Sequence, residues 1–338
     1  MSEKKPTMRD IARAVGTSAV TVSKALAGRP GMSEGLRTRI TETAVKMGYV
    51  YPEKHGESGP ARLDIGILIP DPYFDHNSYY SILYKKLVQK LSEAGHFGLL
   101  EILTREQEET LTLPNLIRTG HVNGLILLGQ PGKAYYRMIG QCGTPVLFLD
   151  FYDEQGTADA VVGDNSYGTY RLTSHLIRNG HTRIGFVGNQ RATSSIMDRY
   201  LGFYRAMMMN GLPVREEWMI PDRTDEGYPV DIALPEELPT AFVCNADVVA
   251  RKLIDRLGER GIRVPEDVSV TGFDDFEAGE PREPALSTFR INTDGMIELA
   301  VNKIAERCAG SDKPFGRMVV SGQPVYRQSE RLLEKSNP

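Results

Sequence analysis

The sequence predicts two unlike parts: an N-terminal all-α head of helix-turn-helix type, and an α/β body of two doubly wound parallel-sheet layers. Three observations carry this. Short apolar-periodic stretches with caps and glycine stops occupy the chain up to Tyr49. From Leu63 onward, unbroken Val/Ile/Leu runs alternate with amphipathic stretches, the pattern of parallel strands covered on both faces. The charge is divided as well, because residues 1–62 hold eleven Lys/Arg against six Asp/Glu while the whole chain holds 40 against 44. A net of +5 on the head and −9 on the remainder turns the head, not the body, toward a polyanion.

Thr7 stands three residues before Asp10 and ahead of Ile11, Ala12 and Val15, a capping-box spacing that starts a helix which Gly16 then ends. Ser18 is the next N-cap, before Ala19–Leu26, where Val22 and Leu26 share one face and Ala19, Val20 and Lys24 are expected on the outer one. Ser33 opens a third helix with Ile40, Ala44 and Met47 inward and Gly48 as its stop. Two short helices joined through Gly16-Thr17 match helix-turn-helix geometry. A valine on the water side of so small a helix favours a docking face over a solvated one.

In the body, strands are expected at Leu63–Ile69, Phe97–Leu103, Gly124–Leu128, Val146–Leu149, Ile184–Val187, Ala241–Cys244 and Val268–Gly272. Between them, Ile82, Leu83, Leu87, Leu91 and Ala94 form a helical stripe. Gly95-His96, Gly120-His121 and Gly180-His181 read as helix ends leading into strands, not as ligand histidines. No histidine pair has i, i+4 spacing, so neither a metal nor a cofactor is expected. The enzyme class finds no support either. GQPGK at Gly129–Lys133 has Ala134 where a phosphate loop needs Ser or Thr, and neither G-x-S-x-G nor G-x-G-x-x-G occurs.

With 338 residues, 41% apolar and 25% charged, the chain is long enough for two or three domains with a real core. Its apolar runs are strand-sized, far short of a bilayer-spanning helix. The opening MSEKKPTMRD carries no apolar signal segment, and Cys142, Cys244 and Cys308 show no C-x-x-C spacing. A cytoplasmic protein with reduced thiols is expected.

The stretch TMRDIARAVGTSAVTVSKALAGRPGMSEGLRTRITETAVKMGY resembles the DNA-binding head of the lactose/galactose repressor family, with Asp10, Ile11, Ala12, Gly16, Ser18, Thr21, Val22, Ser23, Lys24, Ser33, Arg37, Ile40, Gly48 and Tyr49 in matching places. The resemblance implies base reading by Ala19, Val20 and Lys24. Thr7, Ser18, Thr21, Ser23 and Arg29 would then serve as phosphate contacts or caps. IGILIPDPYF, TPVLFLD, VVGDNSYGTYRLTSHLIRNGHTRIGFVG, DRYLGFYRAM, VPEDVSVTGFDD, PALSTFRIN and VYRQSE extend the likeness over nearly the whole chain. They imply a body similar to the periplasmic sugar-binding proteins, lobe 1 being residues 63–161 plus 292–323 and lobe 2 residues 162–291 plus 324–332.

By the same resemblance, Asp150, Arg199 and Asp274 would bind an effector in the interlobe cleft, with Tyr73, Phe74, His76 and Tyr80 as walls. Asn245 departs from the pattern, since the family has Asn directly before Asp and this chain reads Cys244-Asn245-Ala246-Asp247. The linker at 51–62, YPEKHGESGPAR, also departs. Gly56, Gly59 and Pro60 replace the Ala/Leu-rich hinge helix, so a flexible tether between the head (1–50) and the body (63–338) is expected. The implied function is a DNA-binding transcriptional regulator, a repressor, whose homodimer reads a pseudo-palindromic operator under control of a small effector, a sugar, with no membrane partner. The ending KSNP has no heptad segment, which suggests a dimer rather than a tetramer. The alternative is a small-molecule transport receptor without a DNA role, against which the basic head and the absent export signal both speak.

Overall fold

A computed structural model of the chain describes residues 6–26, 32–47, 49, 62–74, 78–276 and 282–333. Arg29, Gly48, Val50, His76 and, of the linker at 51–62, residues 51–61 lie outside these residues, so the expectations placed on them have no structural counterpart here. The chain divides into two units, Met1–Ala61 and Arg62–Pro338.

In the first unit, α1 (Met8–Val15) begins at Thr7, whose Oγ1 accepts from the Asp10 amide at 3.4 Å while Asp10 Oδ2 accepts from the Thr7 amide at 2.9 Å. Gly16 ends the helix at φ 74°, a left-handed turn that favours glycine. α2 (Ala19–Leu26) starts at Ser18, whose Oγ accepts from the Thr21 amide at 3.0 Å. α3 (Glu34–Lys46) follows Ser33, which makes no side-chain cap. Ile11, Ala12, Val15, Val22, Ala25, Ile40 and Ala44 form the core of this unit. α2 therefore buries Val22 with Ala25 rather than with Leu26, which is only partly covered.

The second unit contains β1 (Asp64–Pro70), α4 (Tyr79–Glu93), β2 (Phe97–Leu103), α5 (Arg105–Glu109), α6 (Asn115–Arg118), β3 (Gly124–Leu128), α7 (Lys133–Gly140), β4 (Val146–Leu149) and β5 (Asp159–Gly163). There follow α8 (Asn165–Arg178), β6 (Ile184–Val187), α9 (Ser194–Met209), β7 (Met219–Ile220), β8 (Ala241–Cys244), α10 (Asp247–Glu259), β9 (Ser269–Thr271), β10 (Thr288–Arg290), α11 (Thr293–Cys308), β11 (Arg317–Val320) and β12 (Gln323–Val325). Two parallel sheets result, in the orders β11-β5-β4-β3-β1-β2 and β7-β6-β8-β9.

Each central strand is buried on both faces, which is why DIGILIP, GLILL and VLFL lack polar alternation. Ile65, Ile67 and Ile69 pack with Leu83, Leu87 and Leu91 of α4, while Leu68 faces Tyr135 and Ile139 of α7. Burying each such side chain contributes about 1.5–3 kcal/mol relative to exposure. Ile82 departs from the expected stripe: it is 36% exposed, and Ser81 takes the inward place. The second sheet repeats the arrangement, Phe242 and Cys244 facing α10 and Ala241 and Val243 facing α8 and α9.

The chain passes between the sheets three times, after β5, after β9 and after β11. The last two passages pair as an antiparallel ribbon, β10 with β12, in the register Phe289↔Pro324. In both sheets the strand order reverses beside the first strand laid down, β1 in one and β6 in the other, and the crevice outside the carboxyl ends of such strands is where open α/β sheets hold ligands. No helix among the described residues is long and apolar enough to cross a membrane.

Candidate functional site: interlobe cleft and recognition helix

The crevice between the two sheets is a cavity of about 330 Å³. Tyr73 enters it from the turn after β1, Tyr80 from α4, Asp150 from the end of β4, Arg199 from α9, Asn245 from the end of β8 and Asp274 from beyond β9. Asp150 and Asp274 both adopt left-handed backbone, φ 72° and 104°. Strained positions of this kind cluster at ligand sites because the surrounding structure must hold them in place. Tyr73 and Tyr80 stack at 5.1 Å as one slab. The slab rests on the turn after β3, where Gly129 has φ 85° and a Cβ would come within 2.9 Å of the Tyr73 ring.

Arg199 organises the cleft. Its Nε donates to Asn165 Oδ1 at 2.8 Å, its Nη1 to the Asn245 carbonyl at 2.6 Å, and its Nη2 stands 3.2 Å from Asp274 Oδ1. The guanidinium also lies 4.2 Å over the Phe273 ring. α9 comes close enough for this because Gly202, three residues on, faces α8, where a Cβ would collide with the Ser166 carbonyl and the Tyr170 amide. Asp150 Oδ2 accepts from the Tyr80 hydroxyl at 2.9 Å, while its Oδ1 is buried without a hydrogen-bond partner. Burial pushes both carboxyls up against the pull of Arg199, Asp274 to about 7. Burial likewise pushes the Tyr73 hydroxyl up to about 12, so it acts as a neutral donor, to the Gln130 carbonyl at 3.2 Å.

Of the sequence-derived effector residues, Tyr73, Tyr80, Asp150, Arg199, Asn245 and Asp274 line this one cavity. Phe74 does not. It packs edge-on against Tyr84 at 5.9 Å, in the core beneath, while Pro72 and Tyr73 of the short turn at Asp71–Tyr73 face the crevice. The Asn245 side chain donates to the Val187 carbonyl at 3.0 Å and also reaches Asp222, while its backbone carbonyl holds Arg199.

Sequence reasoning missed Tyr79, Asp222 and Arg223. Asp222 Oδ2 accepts from Arg223 Nε at 2.9 Å and lies 2.8 Å from Nη2, and its Oδ1 accepts from the Asn189 amide at 3.0 Å. Burial raises the Asp222 carboxyl, but Arg223 and these hydrogen bonds outweigh it and hold it below its ordinary value. Nothing in the local pattern PDRTDEG marks the pair, since it follows a two-residue strand. Tyr79, beside the chosen Tyr80, starts α4 and buries an unpartnered hydroxyl.

The lobes also touch directly. The Ser194 amide donates to Gln130 Oε1 at 2.8 Å, and the Tyr152 hydroxyl donates to Asp198 Oδ1 at 3.0 Å.

On the head, α2 exposes Val20, at 65%, and Lys24, one turn apart. Ala19 is half-buried against the head's own core rather than fully outward. Thr7 and Ser18 are both engaged as caps, the Ser18 and Thr21 hydroxyls lying 2.8 Å apart, and Ser23 is half-buried. The helix thus presents one apolar and one cationic side chain at its front, chemistry suited to a thymine methyl and a guanine edge.

Residues 7–51 match the family described as bacterial regulatory proteins, lacI family, and residues 173–330 match the periplasmic binding protein-like domain. The chain is 30% identical over 354 residues to the arabinose metabolism transcriptional repressor of Geobacillus stearothermophilus, covering 98% of this chain and 92% of that protein. It is 24% identical over 338 residues to the HTH-type transcriptional repressor PurR of Actinobacillus pleuropneumoniae serotype 3, covering 97% and 99%. Its fold is similar to that of the lac repressor dimer bound to operator and the anti-inducer ONPF, with a TM-score of 0.77 at 21% identity, over 97% of this chain and 100% of that one.

Proposed function

The chain belongs to the LacI family of bacterial regulatory proteins, DNA-binding repressors modulated by an effector and not enzymes, and from that premise we propose that it represses transcription in the cytoplasm as a homodimer whose effector, a sugar, sits in the cleft around Arg199. Two heads in a two-fold dimer read a pseudo-palindrome. α2 enters the major groove with Val20 and Lys24 at base edges and Ala19 behind them, while Thr7, Ser18, Thr21, Ser23 and Arg29 serve the backbone side.

The observation that carries the reading is the pairing of two surfaces in one chain: an apolar-cationic helix face on a basic head, and a buried, polar, aromatic-walled cavity in an acidic body. A transport receptor would need only the second. The Gln130–Ser194 and Tyr152–Asp198 hydrogen bonds are contacts between lobes that a ligand in the cleft would reinforce or break. The effector shifts operator affinity only by its differential affinity for the two lobe arrangements.

Nuclease footprinting of the full-length protein on the DNA upstream of its own gene tests this. Two protected half-sites related by a two-fold axis are expected, with protection altered by sugar. Uniform or absent protection contradicts the reading.

A further inference from the structure

The loop after β7 folds back on itself at the mouth of the cleft. Asp222–Val230 is a hairpin: the Val230 amide donates to the Asp222 carbonyl at 3.0 Å, the Thr224 amide donates to the Tyr228 carbonyl at 2.8 Å, and Arg223 is bridged antiparallel to Pro229. Asp225 and Glu226 form its tip, and Gly227, at φ 90°, donates to the Thr224 carbonyl at 3.0 Å to close the turn. Arg223, Gly227, Pro229 and Val230 belong to the wall of the cavity.

The two ends of this hairpin are held by different lobes. At the root, Asn189 of the second lobe donates its backbone amide to Asp222 Oδ1 at 3.0 Å. Its side-chain nitrogen donates to the Arg223 carbonyl at 3.0 Å and to Asp225 Oδ1 at 2.8 Å. At the tip, the guanidinium of Arg105, from α5 of the first lobe, lies 4.8 Å from the centre of the Tyr228 ring, and Glu226 adds its negative charge to the attraction. Gly227 also passes close under Tyr73 of the first lobe, where a Cβ would come within 3.2 Å of the hydroxyl. Glu109 accepts from Arg105 Nε at 2.7 Å and so keeps the guanidinium aimed. The grip is unequal. Three hydrogen bonds fix the root, whereas Arg105 is 67% exposed and its hold on the tip is correspondingly weak.

Resting on the effector reading above, we infer that Asp222–Val230 is a strap that gates the cleft, anchored on the second lobe, clasped to the first by Tyr228 against Arg105, and released at its tip to let the effector pass. Arg105 and Tyr228 are not among the residues that line the cavity, so they govern how fast the site exchanges its ligand rather than which ligand it holds. The clasp stands apart from the other lobe contacts. Arg105 follows the edge strand β2, while Tyr152, which donates to Asp198, follows β4 on the far side of β1 and β3.

Hydrogen exchange of the full-length protein, with no ligand added, reads the clasp through the Thr224, Gly227 and Val230 amides. Arg105→Ala changes an exposed side chain in the other lobe, yet it should speed exchange across 222–230 by about 2- to 5-fold, the factor expected for an exposed cation–π contact. Tyr228→Ala should do the same, and Tyr228→Phe, which keeps the ring, should retain wild-type protection. Tyr152→Phe, which cuts the lobe contact beyond β3, should leave these amides as they are. Passage into the cavity is read with Ser195→Cys, a position in its wall, by the rate of reaction with uncharged N-ethylmaleimide after subtraction of the signal from Cys142, Cys244 and Cys308. Adding Arg105→Ala should quicken that reaction by a similar factor. Unchanged exchange in Arg105→Ala overturns the clasp, and equal loosening by Tyr152→Phe overturns it too, because the hairpin would then simply follow the lobes. A labelling rate indifferent to Arg105→Ala overturns the gate. Neither readout requires effector or DNA, so a failure here leaves the repressor reading standing, and a protein that ignores operator and sugar would sink that reading without touching these rates.

Discussion

Arg199 Nη2 lies 3.2 Å from Asp274 Oδ1, and the two side chains are only 6% and 10% exposed. The contact joins α9 of the second lobe to the passage between the lobes, so a group that lines the cleft also anchors the local architecture. Such a pair is weak evidence of net stabilisation, yet losing one partner leaves a buried charge alone.

Arg199→Ala should therefore destabilise the body by about 3–5 kcal/mol, because it strands the Asp274 carboxylate as well as Asn165 and the Asn245 carbonyl. Adding Asp274→Asn to that variant should restore part of the loss. Urea unfolding of the two single variants and the double variant closes the cycle. Strict additivity would show that the two groups do not interact.

The Asp274 carboxyl is pushed from an ordinary 3.8 to about 7, chiefly by burial. The folded state thus holds the proton more tightly than the unfolded chain does. Its contribution to stability is complete below 3.8 and is lost as pH rises to about 7. Relative to wild type, Asp274→Asn should grow more stable across that window, by up to about 4 kcal/mol in all, and stay level above it. Melting temperatures of both proteins at pH 5 and pH 8 give the comparison. A constant difference would exclude the effect.

Gly202→Ala should cost about 1–3 kcal/mol or more, since its methyl group meets the α8 backbone at Ser166 and Tyr170 rather than a movable side chain. Sugar affinity should fall with it, because α9 carries Arg199 away from Asn165. Unchanged melting together with unchanged binding would show that the helices can separate freely.

Much of the fold could be read in advance because its central strands are buried on both faces: GLILL, VLFL, IGFV and AFVC begin and end where the apolar runs do. The elements that escaped notice carry a weaker signal: Asp159–Gly163 is buried throughout, but its apolar core is only Ala160-Val161-Val162 between Asp and Gly. Met219–Ile220 is two residues long, and Gln323–Val325 has no buried residue. The cleft shows the same division. Asp150 and Arg199 stand in motifs tied to a strand end and to the second turn of a helix. Phe74 was misjudged because it turns away from its neighbour Tyr73 into the core, whereas Tyr79 was passed over although it lines the cavity together with Tyr80; only the backbone path decides which aromatics reach it. Ala19 is a similar case, its outward place shared with the core of the head.

Lys24→Ala should reduce discrimination at one base pair by about 1–3 kcal/mol. Lys24 is exposed and lies outside the head's core, so folding should be unaffected. Titrations against operators changed one position at a time give the measurement. Equal weakening on every sequence would make Lys24 a phosphate contact instead.

The central claim, that the basic head binds operator DNA while the acidic body governs that binding, is tested most directly by fluorescence anisotropy of the full-length protein on a duplex from its own promoter, across a salt series. Affinity should fall steeply and linearly in log–log form with salt, as expected when several phosphates are neutralised, and a cleft-binding sugar should displace the whole line. A flat response, or no binding at low ionic strength with or without sugar, would contradict the account.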